Sequence, residues 1–219
     1  FSIQEAVDDW RNSEVLRRGG VPTYEPLAVV MFPYVEWHAT KGWKPIGTYV
    51  RRPHENLRVS ELDNMNPSQK RVVVKRLRTK IQTVLSEAGS GKRVGDRDVL
   101  RFFAERMGRV AGIFQGGFNG NYYFHGMLHD QNVSMLGEIV DVGKNPGVLR
   151  SRQQMRAAWK ASIYPTWRGR VKGYERFRGS VETALLWRMA RRYNAALGPA
   201  MGGGLSHGEL RRLFGQAYR

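Results

Sequence analysis

One stretch decides how this chain is read: His125-Gly126-Met127-Leu128-His129-Asp130-Gln131-Asn132-Val133-Ser134-Met135-Leu136-Gly137-Glu138-Ile139-Val140-Asp141-Val142-Gly143. It begins as a polar loop and continues as two short apolar runs, 133–136 and 138–142, on either side of a Gly-Glu turn. Both runs are rich in β-branched residues and too short for helices, so they read as a tight hairpin. Such a hairpin brings together Asn132 at one end and Asp141 at the other. An amide oxygen and a carboxylate are hard donors, the kind that hold Mg²⁺ beside phosphates. The same residues also fit an ordinary surface hairpin with common turn residues.

Outward from this stretch, helical periodicity dominates. Ser2 to Arg18 places Ile3, Ala6, Val7, Trp10, Val15 and Leu16 near one face and ends at Gly19-Gly20. A second helix runs from Asn66-Pro67-Ser68 to Glu87, with Val72, Val73, Leu77, Ile81, Val84 and Leu85 as its apolar stripe. Its Lys70, Arg71, Lys75, Arg76, Arg78 and Lys80 read as a solvated face that could also meet nucleic acid. A third spans Asp96 to about Phe118, with Val99, Leu100, Phe103, Met107, Val110 and Phe114 inward. Further helices are expected over 153–163, 180–197 and 207–218, with 198–204 as a flexible joint. Leu27–Phe32 reads as a central strand and Ile46–Arg51 as a second, joined by a loop over 33–45. Ala88-Gly89-Ser90-Gly91-Lys92-Arg93 imitates a phosphate-binding loop but lacks the earlier Gly and the Ser or Thr after Lys, so it reads as a connection between helices.

With 219 residues and 41% hydrophobic content, the chain can build one substantial core. No run of 18 or more apolar residues is present, so no membrane span is expected. Zero Cys excludes disulfides and cysteine-based zinc sites without deciding the compartment. His125 and His129 have zinc-like spacing, but Gly126 places them in a loop, and His125 is expected to make a structural hydrogen bond. No Ser-His-Asp set stands out, and Ser134 reads as a turn residue.

Charge is uneven. Of 36 Lys and Arg, 20 precede Val142, as do 16 of 19 Asp and Glu, which leaves +4 on that part and +13 on the remainder. The remainder should attract phosphates, nucleic acid or an acidic protein partner. Within it, Trp167-Arg168-Gly169-Arg170 and Tyr174-Glu175-Arg176-Phe177-Arg178 interleave aromatics with arginine, a pattern able to stack on bases and grip backbone phosphates.

The 125–141 residues carry a resemblance. H-G-x-L-H-x-x-N followed by G-x-x-x-D resembles the catalytic loop and metal-binding Asp of kinase-like enzymes of the aminoglycoside-phosphotransferase kind. It is more similar to the selenoprotein O family, kinase-like proteins that transfer AMP to protein hydroxyls. The resemblance implies an α+β, protein-kinase-like fold over residues 1–150, with a basic, mainly helical extension over 151–219. It implies Mg²⁺ and ATP, with Asn132 and Asp141 as metal ligands. Met127 stands where phosphotransferases carry a catalytic Asp, and Gln131 where the selenoprotein O family carries its general base. Asp130, next door, is the remaining candidate for the catalytic base. Ser2-Ile3-Gln4-Glu5, Ser13-Glu14-Val15-Leu16 and Gly20-Val21-Pro22-Thr23 are similar to the helix and turn of that family's N-lobe. There Glu5 would pair with the ATP-binding lysine, though it reads equally as a surface charge. Arg51 and Arg58 resemble the paired arginines that contact ATP phosphates, a role suited to a planar, bidentate guanidinium; two solvated arginines fit as well. The likeness covers about residues 2 to 143, and lacks the strands with a Gly-rich loop and lysine that open such a lobe. An incomplete N-lobe is therefore expected, in a processed or trimmed chain that does not begin with Met.

Two functions from different classes follow. One is an enzyme that transfers AMP from ATP to a protein substrate, inside a cell or organelle matrix. The other is a catalytically degenerate kinase-like scaffold that binds RNA, DNA or a ribonucleoprotein through its basic C-terminal region.

Overall fold

The structure, a computed structural model, describes residues 2–38, 42–117, 122–125, 128–142, 147–149, 153–154, 157 and 181–218. The fold is α+β. Helix α1 is Ile3–Arg18, followed by the antiparallel pair β1 (Glu25–His38) and β2 (Gly42–Arg52). Helices α2 (Pro67–Glu87) and α3 (Asp96–Gly116) precede a short antiparallel pair, β3 (Tyr122–Phe124) and β4 (Gly147–Leu149). Helices α4 (Val181–Leu197) and α5 (His207–Ala217) complete the described order.

Local chemistry explains the helix starts. Ser2 and Glu5 form a reciprocal capping box at α1, and Asn66 and Gln69 another at α2, where Pro67 fills the first turn. Ser206 caps α5 by accepting from Glu209 N at 3.1 Å. Every expected inward residue of α3, from Val99 to Phe114, is buried.

Helix α3 is the centre of the core, with α2, α4 and α5 packed around it. Phe103 stacks on Tyr193 of α4 with ring centroids 3.9 Å apart, and Trp187 meets Phe214 of α5 edge-on at 5.3 Å. The buried Tyr193 hydroxyl donates to Met135 O at 3.0 Å, which ties α4 to the hairpin. The α4–α5 part thus shares one hydrophobic core with α3.

Several expectations are corrected. Leu27–Phe32 is not a central strand: among the described residues β1 pairs with β2 alone, and Leu27 is 46% and Met31 66% exposed. The strands extend over most of the supposed 33–45 loop, pairing as far as His38 and Gly42. In α2 the inward positions are Val73 and Val74, while Val72 is 65% exposed. Its cationic face is partly paired: Arg76 and Lys80 meet Glu55, and Arg78 meets Asp96. The 198–204 segment is a packed connection and not a loose joint. It opens with a 3-10 turn, Gly198–Met201, and Asn194 clamps Leu205 through both of its backbone groups, at 2.8 and 2.9 Å. The two Trp/Tyr-Arg clusters at 167–178, and most of the helix expected over 153–163, lie outside the described residues.

Candidate nucleotide and metal site

The hairpin expected between 133 and 142 forms. Val133 bridges Ile139, Ser134 O accepts from Gly137 N at 2.8 Å, and Ser134 N donates to Glu138 O at 2.9 Å. Gly137 turns the chain at φ 77, where a side chain would be strained. The Ser134 hydroxyl accepts from Glu138 N at 3.1 Å and donates to Glu138 Oε2 at 3.0 Å, as a turn residue should.

Two outer segments widen the hairpin into a small irregular sheet. On one side Arg58 bridges Ser134, with Met135 N donating to Leu57 O at 2.8 Å. On the other, Thr23 pairs in parallel with Ile139, whose N–H donates to Pro22 O at 2.7 Å. Asn12 of α1 then donates to Val142 O at 3.0 Å, just past Asp141. Arg58, Asn132 and Asp141 are therefore carried on one hydrogen-bonded unit, whereas Glu5 and Arg51 lie on α1 and β2 outside it.

At the open end of the hairpin, Val140 N donates to Asn132 O at 3.0 Å. Asn132 is buried and Asp141 is exposed. Asp141 has φ 57, the only left-handed non-glycine backbone among the described residues. This conformation costs an L-residue about 1–2 kcal/mol, less for Asp or Asn, whose side chains can bond locally. His125 is fully buried beneath this end: its Nε2 lies 2.8 Å from Val140 O, and its N–H donates to Glu182 Oε1 at 2.8 Å. The structural role expected for His125 is the one it has. Glu182 has no local signal; it is the first-turn acid of a helix far along the chain, found only through the fold. Met127, Gly126 and Gly143 lie outside the described residues.

Arg51 and Arg58 converge. Their guanidinium carbons lie 4.8 and 5.2 Å from the centroid of the same Tyr24 ring, and Arg58 Nη1 donates to the Tyr24 hydroxyl at 2.7 Å. Neither forms an ion pair with a carboxylate among the described residues. Burial pushes the Tyr24 hydroxyl up to about 12, against the pull of Arg58, so it stays a neutral platform at neutral pH.

Asp130 lies in the 3-10 turn Asp130–Asn132 and forms an ion pair with Arg192 of α4. Arg192 also binds Asp63, with Nε 3.3 Å from Oδ1. His129 caps this turn: its Nδ1 accepts from Gln131 N at 3.3 Å, which leaves the ring proton on Nε2. Burial lowers the His129 pKa despite the nearby Asp141 charge. Glu5 Oε2 accepts from Ser2 N at 3.0 Å, the helix-capping role described above.

Beneath the turn of the hairpin lies a second polar group. The buried Glu138 takes His54 Nδ1 at 2.7 Å, and the buried Glu55 takes Arg76 at 2.7 Å and Leu57 N at 2.9 Å. Arg106 donates to Leu136 O at 2.9 Å, and burial pulls its pKa down to about 10 against the attraction of Glu138. These charges sit at the closed end of the hairpin, opposite Asp141, and hold its turn in place.

The chain matches no protein-family model and none of the curated proteins.

Proposed function

We propose that this chain is a Mg²⁺-dependent nucleotidyltransferase that moves AMP from ATP to a protein hydroxyl. The observation that carries the reading is Asp141, held left-handed and exposed at the open mouth of a hairpin, with Asn132 on the facing strand. Residues held in this region cluster at functional sites, and an Asp tolerates it better than most side chains, so the conformation aims a carboxylate out of the mouth at modest cost. The buried support from His125 and Glu182 gives the mouth a fixed geometry.

Asn132 and Asp141 offer hard oxygen donors, and two protein ligands suit Mg²⁺, which keeps several of its waters. The ion would neutralise charge on the phosphates. Arg51 and Arg58, without an ion pair to a carboxylate among the described residues and steadied by Tyr24, bind phosphate oxygens of ATP. The acceptor hydroxyl oxygen bonds to the α-phosphorus, the bond to the bridging oxygen breaks, and pyrophosphate leaves. Asp130, fixed by Arg192, takes the hydroxyl proton; a phosphorus transfer in which bond breaking leads asks little of its base.

Calorimetry of ATP binding with and without Mg²⁺, on the parent and on Asp141→Ala, tests the reading. Metal-dependent binding that the variant loses is expected. No binding by the folded parent at about millimolar ATP would overturn it.

A further inference from the structure

Beside the candidate site, His129 and Asp130 face Leu185, Arg188, Met189 and Arg192 of α4 across a pocket of about 230 Å³. Its floor is apolar, since Leu185 and Met189 are buried core residues. Its rim is polar, but the charges are not equivalent. Arg192 is neutralised by Asp63 and Asp130, so it is a structural bridge and not a free cation. Arg188 lines the same pocket one helical turn earlier, is exposed, and has no hydrogen bond or ion pair among the described residues. Arg191 beside it is exposed and equally unpartnered among them.

We infer that this pocket receives an acidic side chain of a protein segment, its methylenes on Leu185 and Met189 and its carboxylate on Arg188. The size suits one side chain, and a cation with no partner among the described residues suits one carboxylate. A nucleic-acid backbone fits less well. Its repeated phosphates would bring several negative charges against Asp130, and its sugars would leave the apolar floor uncovered. Burial holds the His129 pKa below its ordinary value, which disfavours a second positive charge there, and its ring adds a hydrogen-bonding edge. The inference rests on the proposed transfer in one respect: the captured segment is the one that carries the acceptor hydroxyl, and the pocket adjoins the loop residue assigned as base. Acidic residues near the hydroxyl then select the substrate.

The test uses protein labelled with ¹³C at its methionine methyls, titrated without ATP with the capped tripeptides Ac-Ala-Glu-Ala-NH₂, Ac-Ala-Gln-Ala-NH₂ and Ac-Ala-Lys-Ala-NH₂. The Met189 methyl signal is expected to shift and saturate with the Glu peptide at a concentration about tenfold lower than with the Gln peptide. Arg188→Gln should abolish that preference, and Arg188→Glu should transfer it to the Lys peptide. Arg188 is exposed and has no partner among the described residues, so both variants are expected to fold, which the remaining methyl signals report. An unmoved Met189 signal, equal response to Glu and Gln, or unchanged preference in Arg188→Gln would overturn the inference. So would a Met189 response to oligothymidylate that the Glu peptide does not produce. Because ATP is absent throughout, failure here leaves the calorimetric test of AMP transfer untouched, and the reverse also holds.

Discussion

The His125 ring nitrogen Nε2 lies 2.8 Å from the carbonyl oxygen of Val140, the residue before Asp141. One buried imidazole therefore joins the start of the 125–142 segment to the point where it turns outward. Replacing it with Ala leaves the Val140 carbonyl without this partner and opens a cavity. His125→Ala is expected to cost about 2–4 kcal/mol in urea unfolding. At temperatures where the variant is still folded, it should also bind ATP with Mg²⁺ more weakly than the parent.

Asp141 separates function from stability. Glycine accepts φ 57 without strain but gains freedom in the unfolded chain, two effects of opposite sign. Asp141→Gly is expected to unfold within about 1 kcal/mol of the parent, with loss of metal-dependent ATP binding. A variant that keeps that binding would remove Asp141 from the site.

The paired arginines should act through their common ring. Tyr24→Phe keeps the aromatic face under Arg51 and Arg58 but removes the hydroxyl that accepts from Arg58 at 2.7 Å and donates to Glu55 O at 3.0 Å. A modest weakening of ATP binding is expected, smaller than the roughly tenfold or greater loss in Arg58→Ala. Calorimetry on the two variants ranks them; the opposite order would mean that Tyr24, not Arg58, contacts the nucleotide.

The His54–Glu138 pair predicts a pH dependence with a definite sign. The hydrogen bond to Glu138 holds the His54 pKa above its ordinary 6.5, outweighing desolvation. A folded-state pKa above the unfolded one stabilises fully below the unfolded value and is lost as pH rises through the folded one. Stability from this pair should therefore decline from about pH 6.5 upward. Urea midpoints taken across that range should flatten in His54→Gln. A parent whose stability rises there, with the rise absent from His54→Gln, would contradict the assignment.

Close packing of α5 on α3 gives a contrast between two glycines. A Cβ at Gly108 would stand 2.2 Å from the Phe214 carbonyl oxygen, and backbone cannot yield as a flexible side chain does. Gly108→Ala is expected to destabilise by about 1–3 kcal/mol. Gly215, inside α5, has nothing within 4 Å of the same position, so Gly215→Ala should stabilise by about 0.5–1 kcal/mol. Thermal unfolding of both variants checks the pair.

The candidate site was legible in sequence to an uneven degree. Local pattern alone brings the backbones of Asn132 and Asp141 to the open end of one hairpin, because β-branched runs and a glycine turn specify register over short distances. The resemblance pairs Arg51 with Arg58, but the ring that both approach, Tyr24, has no local signal, since it lies far from them in sequence. Asp130 stands out in the sequence only by its position beside Gln131, and its partner Arg192 lies far along the chain. Glu182 carried no signal at all.

What the sequence determined by itself is the helices α1, α2, α3, α4 and α5 and the tight turn at Gly137, because capping boxes, 3.6-residue periodicity and turn chemistry act within a few residues. Tertiary structure decided the rest. It left the apolar run of β1 exposed with one partner strand, packed α4 and α5 on α3, and set His125 against Glu182 and Asp130 against Arg192. Those outcomes depend on which surfaces find each other across long separations, where burial and charge pairing are settled by the whole packed core and not by any local stretch.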